Sequence, residues 1–192
     1  MALSTTLRRT VTLTGLTPIL FDRYSGDNKT QLAPEQKFYL DAKSGICLPT
    51  LNLISFLTAQ NTDSAPKVCL DSRLYKKVAS ALLASVTVMP TPLIPFTRAK
   101  KPIRFGQFNG DGFDATSQAQ VLYHVARLEK GIPNPKARPS LPLPWQLQFS
   151  LTVLPHPDLT EALIENLFVD GGARLGLGTF RRMFGKFSFA WK

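Results

Sequence analysis

Proline placement constrains this chain more than any other feature. Of 192 residues, 15 are proline. Pro90, Pro92, Pro95 and Pro102 crowd one window, and Pro133, Pro135, Pro139, Pro142 and Pro144 crowd another. Proline fixes φ and lacks an amide donor, so both windows limit regular structure. The first, near 90–118, reads as a mobile surface excursion, and the second, near 130–144, as an ordered but extended arm. The remainder, with 13 Phe and 44% apolar residues, suffices for one buried core, and the expectation is a single domain over 1–192 with those two insertions.

Between the windows, hydrophobic periodicity assigns the elements. Val11 and Leu13 alternate with Thr10, Thr12 and Thr14, which predicts a strand over 8–16. FYLDAKSGICLP reads as a hairpin turning at Lys43-Ser44-Gly45. Leu51, Ile54, Phe56 and Leu57 predict a helix from Thr50 to about Ala59, ended by NTDSAP. Leu74, Val78, Ala81 and Leu82 predict a second, capped by Asp71 or Ser72. Strand-like runs follow at VTVMP, VLYHVARLE (121–129) and WQLQFSLTVLP (145–155). Asp158 and Glu161 have capping-box spacing before a helix striped by Leu159, Ala162, Leu163 and Leu167, which Gly171-Gly172 is expected to end. Phe187, Phe189 and Trp191 alternate with Ser188 and Ala190 in a last strand. Few helices among antiparallel-type strands predict an α+β fold with at least one ferredoxin-like β-α-β unit.

The chain carries 23 Lys+Arg against 13 Asp+Glu, a net charge of +10. On a folded surface this favours a polyanion partner. No apolar run reaches the roughly 18 residues of a spanning helix, and MALSTTLRRT lacks the apolar stretch of a signal peptide, so a cytoplasmic protein without a membrane partner is expected. Cys47, Cys69, His124 and His156 show no metal-ligand spacing, and neither metal nor cofactor is expected.

Three basic segments are candidate nucleic-acid contacts. Residues 171–192 hold five basic residues and no acidic one. There Arg174, Arg181, Arg182 and Lys186 surround Gly176, Gly178 and Gly185. Glycines let a backbone approach phosphates and offer amides to them, arginines add forked donors, and Phe180 and Phe184 offer faces for bases. A glycine-rich turn with solvated arginines is the alternative. The second segment contains Arg98, Lys100, Lys101 and Arg104, flanked by Phe96 and Phe105. The third is the arm with Lys130, Lys136 and Arg138, which serves equally as a protein contact.

The string GGARLGLGTFRRMFGKFSF resembles the glycine-rich loop of the RAMP superfamily, the RNA-binding proteins of CRISPR effector complexes. SGICLPTLNLISFLTAQ (44–60) resembles the RAMP strand that ends at a proline before a helix. Here Thr50 and Leu51 stand where many members have Gly-Ser, and the helix has no Lys or Arg. KARPSLPLPWQLQF and GLTPILFDRYS are similar to stretches of small stand-alone RAMP-like proteins, often encoded by phages and prophages. The nearest kind is the subunit that forms the repeating backbone along a guide RNA.

The resemblance implies a ferredoxin-like (modified RRM) antiparallel sheet with helices on one face, plus extended Pro-rich arms. It also implies binding of single-stranded RNA, a guide RNA among the candidates, and assembly with copies of itself or with other CRISPR-type subunits. The leading expectation is a non-catalytic RNA-binding protein with no catalytic residues. One rival is a RAMP-type endoribonuclease using Asp22, Asp27 or His124. The other is an assembly or anti-CRISPR-like interference protein that docks on a nucleoprotein complex without binding RNA.

Overall fold

A computed structural model describes residues 2–27, 30–41, 43, 45–104, 120–127 and 133–192; Ser44, Phe105, Lys130 and the His124 side chain lie outside the described set. The fold is α+β with a mostly antiparallel main sheet. One strand in from its edge is β1 (Leu7–Gly15), flanked by β10 (Gln146–Val153) and the edge strand β11 (Phe187–Trp191), both antiparallel to it. The far edge of β10 is shared by β5 (Val86–Met89) and β6 (Leu93–Arg98). β4 (Gly45–Pro49) and β3 (Tyr39–Asp41) extend the sheet beyond β6, and β7 (Lys101–Pro102) folds back on β6. A second, three-stranded sheet runs β2 (Ile19–Leu20), β9 (Pro133–Leu141), β8 (Gln120–Arg127).

Alternation along β1 and β10 separates two faces. Leu7, Val11 and Leu13 join Leu147, Phe149, Leu151 and Val153 inside, while Thr10, Thr12, Thr14, Gln148, Ser150 and Thr152 line a polar outer face. The apolar face packs with α1 (Thr50–Thr58), α2 (Ala65–Cys69), α3 (Tyr75–Ser85) and α4 (Glu161–Arg174) in one core. Phe168 lies within 5.0 Å of the Phe189 ring and 5.8 Å of Phe56, so truncating it to alanine would cost about 3–5 kcal/mol. Gly15 is required where β1 passes Trp145: a Cβ there would stand 2.3 Å from the indole, whose Nε1 donates to Thr17 O at 2.9 Å.

Several local expectations need correcting. Of the predicted α1 stripe, Leu51 faces out at 75% exposure, and Leu53, Phe56 and Leu57 form the buried side. Leu74 precedes α3 and is exposed, while Val78, Ala81 and Leu82 are buried as expected. NTDSAP ends α1 but also starts α2, whose Lys67 amide donates to the Ser64 hydroxyl. The Pro-rich window from 90 is not all excursion, because residues 93–98 form β6, paired with β4 and β10; residues 105–119 lie outside the described set. The arm at 133–141 is β9, paired along its length with β8 as a hairpin.

The last helix differs at both ends. Its N-cap is Thr160, whose hydroxyl accepts from Leu163 N at 3.0 Å, and Asp158 instead pairs with Lys77 at 2.7 Å. Gly171 and Gly172 do not end the helix. They lie inside it because Phe56 and Ala65 press on one and Phe187 on the other, leaving no room for a Cβ.

Candidate nucleic-acid interface

β1 ends, β10 begins, β11 begins and β6 ends at one end of the main sheet, because Gly15 pairs with Phe187, Thr14 with Gln146 and Gln146 with Thr97. Lys186 therefore stands one residue before β11, and Arg98 closes β6 three strands away, roughly 15 Å at the usual strand spacing. The glycine-rich segment and the Arg98–Arg104 segment, far apart in sequence, meet at this end, and Arg98 ties it to residues 142–144 that follow the arm's strand.

The glycine-rich loop is built by backbone packing. After α4, the amides of Leu175 and Gly176 both donate to Gly171 O, at 2.8 and 3.0 Å. Arg182 N then closes on Leu175 O at 2.7 Å, and Leu177 N on Gly185 O at 2.9 Å. Gly178 N donates to Asn52 Oδ1 at 3.1 Å and Gly185 N to Pro18 O at 2.8 Å. The amides of Gly176, Gly178 and Gly185 are thus committed inside the protein, contrary to the expectation that they face a phosphate. At Gly185 a Cβ would meet Leu177 O at 2.0 Å and φ is +71°, so glycine serves the loop's own closure.

The side chains point more freely. Arg174 is exposed in the last turn of α4, and Lys186 is half-buried. Arg182 donates its Nε to Asp63 Oδ2 at 3.0 Å. Arg181 is half-buried, and among the described residues it has neither a hydrogen bond nor an ion pair. Burial lowers its pKa, and the nearby Asp63 charge partly opposes this. Phe180 is 41% exposed, with the Phe184 ring 6.2 Å away.

The other segments divide between surface and framework. Ala99 and Lys100, both at positive φ, form the two-residue turn joining β6 to β7. Lys100, Lys101 and Arg104 are exposed. Arg98 is framework, donating Nε to Pro144 O and Nη2 to Pro142 O at 2.8 and 3.0 Å. Lys136 is half-buried. Arg138, expected as a contact residue on the extended arm, is 8% exposed; its Nε donates to Asp22 Oδ2 at 2.8 Å, and its guanidinium lies 5.8 Å from the Phe180 ring centre. Lys37 Nζ reaches the other Asp22 oxygen at 3.4 Å and Ala137 O at 2.8 Å.

These contacts also explain the acidic candidates. Asp22 is held by two cations, and Asp27 closes a turn by accepting from Thr30 N and Oγ1 at 2.6 and 2.7 Å. His156 is tied to the N-terminal segment through Leu3 and accepts at Nδ1 from Asp158 N. Among the described residues no three His, Cys, Asp or Glu side chains cluster to hold a metal, and no helix is long and apolar enough to cross a membrane. Asp22 and Tyr39 line a cavity of about 360 Å³ together with Leu51, Asn52, Ser55 and Thr179, between the start of α1 and the glycine-rich loop. Asp63 and Asn52 had no signal in the sequence, since their partners lie 119 and 126 residues away. No protein-family model matches the chain, and no curated protein matches it in sequence.

Proposed function

We propose that this chain is a non-catalytic, single-stranded RNA-binding protein of the backbone-RAMP kind, with a ferredoxin-like core. The observation that carries the reading is that Lys186, at the end of the loop bearing Arg174, Arg181 and Arg182, stands at the same end of the sheet as the β6–β7 turn, beside which Lys100, Lys101 and Arg104 are exposed. A net charge of +10 with seven of its basic residues on these two segments suits a phosphate chain better than a dispersed solubilising charge.

The core reading is supported by neighbour order. Taking β1, β5, β10 and β11 as four core strands, the sheet runs fourth, first, third, second, with helices between the first two and the last two. That is the order of a β-α-β-β-α-β unit. The 360 Å³ cavity beside Thr179 is large enough to admit a flipped base, and Phe180 offers a ring at the loop. The β8–β9 hairpin, with Tyr123 and Val125 exposed, supplies a surface for copies of the chain in a multimer.

The test is fluorescence anisotropy with labelled single-stranded RNAs of unrelated sequence across a salt series. Binding should weaken steeply with salt, and the paired substitutions R181A and R182A should weaken it for every sequence and flatten the log–log salt slope by at least about 0.7, the loss of one phosphate contact. Equal affinity of parent and double variant at low salt would show that the site is misplaced.

A further inference from the structure

The two adjacent arginines of the loop stand in different electrostatic situations. Arg182 has a counter-ion, because its guanidinium reaches Asp63 Oδ2 through both Nε and Nη2 at 3.0 Å. A phosphate arriving there exchanges one anion for another and gains little. Arg181 is half-buried with no hydrogen bond or ion pair among the described residues, and the Asp63 charge, near it but engaged by Arg182, offsets only part of the lost hydration. A cation in that state gains most from an incoming anion, since partial burial lowers the effective dielectric and strengthens the attraction.

The backbone holds the pair apart. Phe180 and Arg182 both adopt left-handed conformations, at φ +54° and +73°, which non-glycine residues rarely do. Such residues persist only where their surroundings fix them. Here Arg182 N is fixed on Leu175 O at 2.7 Å, and the Phe180 ring sits against the buried Arg138 guanidinium. Arg181, between the two, is placed by a turn whose flanks are locked.

We propose that Arg181 seats a phosphate of the bound RNA, and that Arg182 is a positioning residue whose pair with Asp63 fixes the turn. This deepens the RNA-binding reading and rests on it. It separates two residues that the sequence presents as an equivalent Arg-Arg pair.

The experiment compares R181A, R181K, R182A and D63N with the parent, each checked by circular dichroism and thermal midpoint. Binding of a single-stranded RNA octamer is read by anisotropy. The Arg181 Nε–Hε resonance is followed by NMR during titration with the octamer and, separately, with inorganic pyrophosphate. R181A should weaken RNA binding about 10-fold or more, the loss expected of a charge-assisted contact, and R181K should recover only part of it. R182A and D63N should change affinity less than about 3-fold, since an exposed ion pair contributes little, while lowering the thermal midpoint slightly. If R182A costs more affinity than R181A, the assignment is overturned while RNA binding stands. If RNA leaves the parent unchanged but pyrophosphate shifts the Arg181 resonance and R181A abolishes that binding, the anion seat stands and the RNA reading falls. If neither ligand moves that resonance, the assignment is overturned.

Discussion

Replacing Asp22 by alanine removes the carboxylate that two enclosed cations share. Arg138 and Lys37 have side chains only 10% and 12% exposed, and they meet Asp22 at 2.8 and 3.4 Å. Breaking a buried pair by deleting one partner typically costs about 3–5 kcal/mol, because the surviving charge stays desolvated. The Asp22 side chain is itself 25% exposed, and water can reach the gap, so the low end, about 3 kcal/mol, applies. For a domain of this size that is a fall of about 6–12 °C in thermal midpoint. Denaturant unfolding should show the midpoint falling with an unchanged slope. Removing one of the two surviving cations with Arg138→Met in the Asp22→Ala background should recover part of the loss, since only Lys37 is then left without its carboxylate. An Asp22→Ala variant within about 0.5 kcal/mol of the parent would refute the reasoning, because that is the range of an ordinary surface substitution. The same variant bears on chemistry: loss of stability without any RNA-cleaving activity to lose is the expected result.

Two further outcomes follow from local geometry. Thr160→Ala should cost about 1 kcal/mol in denaturant unfolding by removing the N-cap of α4, whereas Asp158→Ala, which breaks the exposed pair with Lys77 and a long contact with His156, should cost under about 0.5 kcal/mol. Burial, and then the Asp170 carboxylate, push the Cys69 thiol above its ordinary pKa, with Arg174 offsetting part. Alkylation of Cys69 should therefore be slower near pH 8 than for a free thiol and accelerate as the pH rises, and Asp170→Asn should speed it at fixed pH. Because folding favours the neutral thiol, the associated stability is intact below the ordinary thiol pKa and is lost as pH rises through the raised one. Cys47, fully buried, should react only on unfolding.

What was legible in the sequence was whatever repeats locally. The threonine alternation of β1, the stripe Val78, Ala81 and Leu82 of α3 and the Phe-Ser-Phe-Ala-Trp run of β11 announce their elements because period reflects burial on one side. Gly171-Gly172 misleads because its reason is tertiary: a helix-stopping signal is outweighed when Phe56 and Phe187 need the space of a side chain. Asp158 and Glu161 mislead because capping spacing is short-range and common, and Thr160 sits one residue before Glu161 with a competent hydroxyl. The basic loop could be located by charge, but not sorted. Arg138 looked like a contact residue on the arm because its partner, Asp22, lies 116 residues away, and no spacing rule links them. Arg181 and Arg182 are adjacent and identical in type, and what tells them apart is tertiary: the bonded pair of Arg182 with Asp63 and the deeper burial of Arg181.

Gly15 and Trp145 are, physically, one choice written at two positions. The indole occupies the place where a side chain on β1 would go, and it meets Phe96 edge-on at 5.6 Å while its N–H is bound to Thr17. Energies at the two sites therefore cannot add: a methyl at 15 is costly only while the ring is there, and a smaller residue at 145 opens a void that such a methyl would partly fill. The arrangement is therefore left at least cost by changing both positions together.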